Sequence, residues 1–438
     1  MINRFLFRQI DNSALIIFRV FFGLLIFLES IGAILTGWVN RVFIVPKFTF
    51  SFIGFEWLQP FPGDWMYVYY IVMGFFGLFI MLGFKYKLSI IGFTIMWIVT
   101  YLMQKSSYNN HYYLLIFLST FMIFMPANTY FSVDAKIKPS IKKNAMPQWC
   151  SLVFIIQMGI VYTYASIAKM YPDWLDTTVV EILMKSKENY YLIGNILQQK
   201  WVHYFIAYSG LIFDLLVVPL LLWRPTRKYA FFASIFFHLF NSIVFQVGVF
   251  PYLSLAITVF FFESETLRNI FFKKKKPYIK NEIIIPKRNT VIIYLLIMYF
   301  SIQIVLPLRH WVIKDDVFWT EEGHRMSWRM MLRSRAGIAK YTVIDKSNNT
   351  EIPIHLNNYL SKKQLRVVSV RPDVIWQFAQ YLKRDFKAKG VDVEVYVDCS
   401  VSVNGKPLKR LINPKVDMAA IKWNAFKHSE WILPSEQD

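Results

Sequence analysis

The chain has 438 residues, 55% of them hydrophobic and 18% aromatic, with a mean hydropathy of +0.37. Those values exclude an ordinary soluble enzyme and fit a multi-span membrane protein with a water-exposed part. The net charge of +21 would suggest nucleic acid in a soluble protein. Here the lysines and arginines gather in short loops between apolar runs, as the positive-inside rule and anionic lipid require, and no nucleic-acid-binding motif is visible.

Met1–Asp11 is short and basic. The run Ala14–Leu35 is too long for a signal-peptide core and lacks a small-residue cleavage site, so it reads as a retained first span. It carries Arg19 and Glu29, which lie ~15 Å apart along a helix and must each find a partner on another element or face a cavity. The stretch 37–64 is rich in aromatics and proline, too irregular to span, and is expected at the membrane interface. Spans follow at Trp65–Leu82, Leu88–Met103, Tyr112–Met125, Gln148–Met170, Val202–Trp223 (interrupted by Asp214) and Ala230–Val247. A short one ends near Glu263, and the last is Val291–Leu308. That makes about nine spans of ordinary or slightly short length. Basic loops fall at the N-terminus and after every second span, which predicts the N-terminus inside and the C-terminal part outside.

From Arg309 the composition changes. Ala339–Asp345 and Glu351–His355 read as a hairpin, Pro372–Lys389 as a helix ended by Gly390, and Val391–Val397 and Val401–Val403 as strands followed by an Asn404-Gly405 turn. The expected fold is an α-helical polytopic membrane protein, residues 1–308, with a C-terminal extramembrane α+β, β-rich domain, residues 309–438. Cys150 and Cys399 fall on opposite sides of the membrane in this topology, which excludes a disulfide between them, and neither has metal-ligand spacing.

The stretch IIQMGIVYTYASIAKMYPDW, residues 155–174, carries Lys169 at the outer end of a span, with no acidic neighbour in sequence before Asp173. Two readings are open: a lysine snorkelling to the headgroups, or a desolvated amine that serves as a general base. The topology brings His111, His238, Asn241 and His310 to the same leaflet. Each alone has a bland reading, as a helix cap, a hydrogen-bonded structural histidine or an interfacial residue. No metal site is expected, since no paired-histidine motif occurs, and no nucleophilic triad or phosphate loop is present. An aromatic pocket around such a lysine suits an apolar ring such as a quinone.

Taken in order, FRVFFGLLIFLES, NNHYYLL, NTYFSVDA, YASIAKMYPDW, FFHLFNSIVFQVGVFPY, SWRMMLRSR and INPKVDMAAIKWNAFKHSEW resemble the vitamin K-dependent γ-glutamyl carboxylases. These belong to the wider group of horizontally transferred transmembrane proteins. The resemblance runs through most of the chain. It implies that Lys169 is the base that deprotonates reduced vitamin K (phylloquinol or menaquinol). Oxygen then adds, the strongly basic species so formed takes a γ-proton from a peptide glutamate, carbon dioxide captures the carbanion, and the quinol leaves as an epoxide. It also implies His111 beside the carbanion step, and His238, Asn241, His310 and Asn110 around the cofactor. His324 and Trp328 fall in the glutamate-contact stretch, where the family has a tyrosine at the position of His324. The chain is shorter than the animal enzymes, ending soon after the SEW segment.

The expected function is therefore a vitamin K-dependent carboxylase-like membrane enzyme coupling quinol epoxidation to glutamate carboxylation. Its expected place is a bacterial inner membrane, with the C-terminal domain on the outer face. Its partners would be membrane lipid and a secreted glutamate-containing protein or peptide, with no nucleic acid. Two rivals predict different outcomes: a quinol epoxidase that does not carboxylate, and a non-enzymatic membrane partner or maturation factor for a secreted peptide.

Overall fold

The computed structural model describes residues 1–280 and 282–436. In a bilayer a polar backbone must satisfy itself, so the apolar runs become helices. In chain order these are α1 (Ser13–Leu35), α2 (Trp65–Leu82), α3 (Tyr86–Met103), α4 (Asn110–Phe124), α5 (Trp149–Lys169), α6 (Lys200–Leu222), α7 (Arg224–Phe240), α8 (Phe250–Ile257) and α9 (Asn289–Leu308). Among the described residues seven are long and apolar enough to cross a membrane; α4 and α8 are the shorter two. The nine segments are those read from hydropathy. Several boundaries shift by one or two residues and one by more: α7 starts at Arg224 rather than Ala230, because Pro225 in its first turn has no amide to leave unsatisfied and pre-sets the helical φ. A π-turn, Asn241–Phe245, prolongs α7 toward the cavity described below.

Helices α1 and α2 lie backbone against backbone. A Cβ on Gly23 would stand 2.3 Å from the Met81 amide nitrogen, and one on Gly77 2.7 Å from that of Phe27. Small residues at such a crossing let dispersion and polar contacts act at close range. Arg19 is 1% exposed and finds carbonyls rather than a carboxylate: those of Ala127 at 2.9 Å, Tyr130 at 3.3 Å, Phe131 at 2.5 Å and Met81 at 3.4 Å. The NTYFSVDA segment thus has a structural role. Its Asp134 also caps α3 by accepting the Lys85 and Tyr86 amides at 2.8 and 3.0 Å. Glu29 accepts a 2.8 Å hydrogen bond from the Tyr112 hydroxyl. At the same end as these caps, strands β1 (Gln9–Asp11) and β2 (Ala145–Pro147) pair antiparallel and tie the N-terminus to the chain entering α5.

The C-terminal part is an antiparallel sheet in the order β4-β3-β5-β6, with β3 (Arg335–Asp345), β4 (Thr350–Ile352), β5 (Val393–Val403) and β6 (Lys409–Ile412). Helix α10 (Pro372–Ala388) covers one face. Strand β5 is continuous where the sequence suggested a break. Its inward positions Val393, Val395, Val397, Cys399 and Val401 all lie at 0% exposure, so the period of two runs straight through Asp398, which faces out to Arg410 at 3.0 Å. The stretch after α1 was expected wholly at the interface. Trp57, Phe61 and Trp65 are exposed as expected, but Phe48 stacks on Tyr381 with centroids 3.8 Å apart and Phe50 enters the core of the C-terminal part. The reason is local: Gln364 and Gln377 donate to the Phe48 and Ser51 carbonyls at 2.7 and 2.9 Å, satisfying backbone that no regular element serves. Cys150 and Cys399 are both free and buried in separate cores.

The two parts are locked by a buried charge cluster. Asp373 on α10 meets Lys105, just past α3, at 2.6 Å and Arg325 at 2.5 Å. Burial alone would raise the Asp373 carboxyl, but Arg325 and Lys105 together hold it well below the usual carboxylate range. Two predictions follow from this packing. Gly77→Ala should destabilise the bundle by about 1–3 kcal/mol through overpacking, read as a lower melting temperature in detergent. Asp373→Asn strands two buried cations and should cost roughly 3–5 kcal/mol. Because a depressed carboxyl stabilises only while ionised, the wild-type advantage in denaturation should be complete above pH ~4 and shrink as pH falls below it.

Candidate active site: a lysine–aspartate pair in a membrane cavity

The last residue of α5 is Lys169, 8% exposed. It does not snorkel. Its ammonium is bonded to the carboxylate of Asp214, which projects from the middle of α6 and is 4% exposed. The indole of Trp174 lies beside it, with Nζ 5.5 Å from the ring centroid, and is itself fixed by Nε1 donating to the Ala207 carbonyl at 3.0 Å. The absence of a nearby acid in the sequence was therefore misleading, since the partner comes from the next span, 45 residues on. Asp214 interrupting an apolar run carried that signal, because a carboxylate at that depth requires a cation.

Lys169 and Asp214 line a cavity of about 1290 Å³. This is larger than an ordinary small-ligand pocket and sufficient for a ring bearing a long chain. Most of its wall is apolar. Phe205, Ile212 and Leu216 of α6 and Phe236 of α7 both line it and are strongly exposed, so the cavity opens sideways on the flank where these helices meet lipid. Its other end is charged. The chain between α9 and β3 folds back against the bundle and brings Glu321, His324, Arg325, Arg329 and Arg333 into the wall, joined by Arg371.

Of the residues singled out from the sequence, Lys169, His111, Asn110, Asn241 and His324 all line this one cavity. His111 stands at the start of α4, 4.9 Å from the Tyr112 ring and 6.3 Å from Phe250 by centroids. The Asn110 amide is already occupied: Nδ2 donates to the Arg329 carbonyl at 2.8 Å and Oδ1 accepts from Tyr108 at 2.7 Å, so it fixes the charged wall. Three residues lie one layer behind. His238, 1% exposed, meets the cavity-lining Tyr162 hydroxyl through Nε2 at 2.8 Å. His310 donates from Nδ1 to the Pro307 carbonyl at 2.8 Å and accepts from Arg329 Nη1 at 3.1 Å through Nε2. Trp328, 1% exposed, packs on Tyr113 at 5.1 Å in the helical core. The first two each bond a residue that itself lines the cavity, Tyr162 for His238 and Arg329 for His310, whereas Trp328 belongs to the helical core.

The turn after Lys169 is clamped to the C-terminal sheet. Asp173 accepts from Asn404 Nδ2 at 2.8 Å and pairs with Lys406 at 2.9 Å, while Asn404 Oδ1 accepts the Ser334 amide at 2.8 Å. Tyr171 donates to Asp316. Asn404, in the left-handed region at φ 52°, therefore links the lysine-bearing wall to the arginine-bearing wall. In that second wall Glu321 is gripped by Arg333 and Arg335. Burial would raise the Glu321 carboxyl, and the guanidinium groups of Arg333 and Arg335 instead hold it well below its ordinary value. Burial and the neighbouring Arg333 drive His324 far below the usual histidine range, so it is neutral at pH 7. The arginines spaced by four, Arg325, Arg329 and Arg333, were present in SWRMMLRSR and its flank but were not read as cavity residues.

Comparison with known families agrees with this layout. A family model described as the HTTM domain matches residues 7–265. A second, described as the vitamin K-dependent gamma-carboxylase, lumenal domain, matches residues 288–438. No solved structure matches the chain. The first match takes in α1 to α8 and both partners of the lysine–aspartate pair; the second takes in α9, the charged wall and the sheet, and points to a carboxylase-type function that uses reduced vitamin K. A multi-pass bundle bearing Lys169 and Asp214, joined to that second domain across one shared cavity, belongs to the vitamin K-dependent γ-carboxylase family within the horizontally transferred transmembrane group.

Proposed function

We propose that this protein is a membrane enzyme that couples epoxidation of reduced vitamin K, or a menaquinol of the same chemistry, to carboxylation of a peptide glutamate. The observation that carries the proposal is the buried Lys169–Asp214 pair at the wall of a large, laterally open, aromatic cavity. The residues present fit a quinol. One amine can meet a ring hydroxyl, the phenylalanines of α6 and α7 can hold an isoprenoid chain, and the opening lets that chain remain in lipid. When bound, reduced vitamin K supplies, together with oxygen, the base strong enough to remove a γ-proton from glutamate.

The chain's own part is to manage one proton and exclude water. An ammonium cannot act as a base, so the proton on Lys169 must first have somewhere to go. Asp214, hydrogen-bonded to it, takes that proton and leaves an amine, which accepts the proton of the quinol hydroxyl. In a low-dielectric site the ionised and neutral forms of such a pair lie closer in energy than in water, because desolvation penalises two charges. His111 lines the same space and would serve the carbanion step; Asn241 and Tyr162, which also line it, would border the ring. The charged wall receives the glutamate carboxylate, with His324 where the family's tyrosine stands, and carbon dioxide enters from the cavity. In this reading residues 1–308 form the catalytic bundle and 309–438 the substrate-binding part, the latter on the outer face of a bacterial inner membrane, facing a secreted glutamate-containing protein. The alternation of basic loops supports that orientation.

Purified protein given hydroquinone, oxygen, labelled carbon dioxide and a glutamate peptide should yield epoxide and labelled peptide. Lys169→Ala should lower epoxide formation by about 10²–10⁴-fold, with Asp214→Asn falling between it and wild type. Epoxide formation by Lys169→Ala at the wild-type rate would remove the assignment of the base. Epoxide without label on any glutamate peptide would instead favour quinol epoxidation alone.

A further inference from the structure

Helices α6 and α7 of the cavity wall form a hairpin joined by Trp223 alone. Pro219 lies close to that junction and removes one backbone hydrogen bond from α6, which gives the hairpin a place to flex. At the other end, nearer Lys169, the two helices are continued by separate segments. Residues 186–199 lead into α6, and the π-turn Asn241–Phe245 followed by Gln246 and Val247 leads out of α7. Both segments line the cavity, through Ile193, Ile196 and Leu197 on one side and Asn241, Phe245 and Val247 on the other. Little holds them together. Ile193 and Leu197 share an apolar cluster with Phe240, Val244 and Phe245. Among the described residues no backbone hydrogen bond crosses between the two segments. One side-chain bond does: Gln246 Nε2 donates at 3.2 Å to the Tyr190 hydroxyl, which also accepts from Lys187 Nζ at 3.3 Å. Gln246 makes it from the left-handed region at φ 53°, which a glutamine adopts at a cost and only where its surroundings fix it. The facing loop is closed on itself. The Gly194 amide donates to the Tyr190 carbonyl at 2.8 Å, and a Cβ on Gly194 would stand 2.0 Å from the Glu188 oxygen. Its outward residues Tyr191 and Leu192 are 98% and 82% exposed, beside the exposed Trp201 that starts α6; side chains of this kind partition into a membrane interface.

We propose that this end of the α6–α7 hairpin is a lateral gate for an apolar ring ligand arriving from the bilayer. Residues 186–199 are its moving leaf, and the Tyr190–Gln246 bond is its clasp. A flexible chain can lie in the slot between Phe205, Ile212 and Leu216 of α6 and Phe236 of α7, while the ring it carries must reach Lys169, at the end that the leaf closes. Opening there breaks one side-chain hydrogen bond and an apolar contact that lipid or the ligand itself replaces. Closing shuts water away from the Lys169–Asp214 pair while a proton moves. Naming the ring as a quinol rests on the enzyme reading above; the gating of an apolar ring does not.

The test uses the full-length protein in lipid nanodiscs, carrying Tyr190→Cys together with Gln246→Cys, and a short bifunctional thiol reagent. Cys150 and Cys399 are buried, so the introduced pair is the one bridged. Uptake and release of menaquinone are followed by quenching of tryptophan fluorescence, since Trp174 and Trp201 line the cavity. Bridging should slow both rates about tenfold or more and leave the affinity within about twofold, because a gate acts on rates alone. Gln246→Leu, which removes the clasp, should speed both, and the unbridged double variant should match it, which guards against a variant that merely misfolds. Unchanged rates after bridging overturn the proposal. So does a bridge that weakens affinity without slowing uptake, and so does a failure of the two cysteines to be bridged. Gated uptake in a protein that makes neither epoxide nor carboxylated peptide would leave the gate standing and remove only the enzyme reading.

Discussion

A lysine ammonium and an aspartate carboxylate, both nearly out of contact with water, face a cavity built from aromatic side chains. Taking two charges into such a place costs several kcal/mol per ion before their attraction is counted, and apolar residues of similar volume would hold α5 and α6 together at least as well. The pair is therefore poor as a device for stability and apt as one for moving a proton. Trp174 closes the wall beside it, its indole fixed to the Ala207 carbonyl of α6, the helix that carries Asp214.

The second constraint is that the C-terminal part is not an appendage. Asn404 bonds both Asp173, four residues beyond the lysine, and the Ser334 amide at the end of the arginine wall. Asn110 holds the Arg329 backbone from α4, and Asp373 ties Lys105 to Arg325. Each wall of the cavity is thus positioned by residues of the other part. The sheet is thus connected to the turn that follows Lys169 through a few buried hydrogen bonds.

The sequence was most legible where one physical rule dominates. Nine helical segments followed from hydropathy, and α10 and the sheet from their periodicity, because burial of apolar surface decides both. Lys169 stood out as a charge at the end of an apolar span, whereas His111 was also readable as a helix cap and His324 was singled out only through the family resemblance; all three line the cavity. What was not legible depended on partners distant in sequence. Asp214 was visible as a charge in a span, but its pairing with Lys169 is a tertiary fact. His238, His310 and Trp328 had the right residue types and depths, yet a single rotation about a helix decides whether a side chain faces the cavity or the layer behind it. Arg371 looked like an ordinary residue before a helix, and only the fold of 321–334 brings a cavity to it.

The central claim, that the Lys169 amine is the proton acceptor in the cavity, is tested most directly by chemical rescue. Small primary amines of graded basicity are added to Lys169→Ala, and quinol epoxidation is measured. The account predicts that epoxidation returns in proportion to the concentration of unprotonated amine and, at equal free-amine concentration, more strongly for more basic amines of equal size, since the cavity left by the side chain admits the base it lost. Activity that no amine restores, in a variant that still folds and binds quinol, would contradict it.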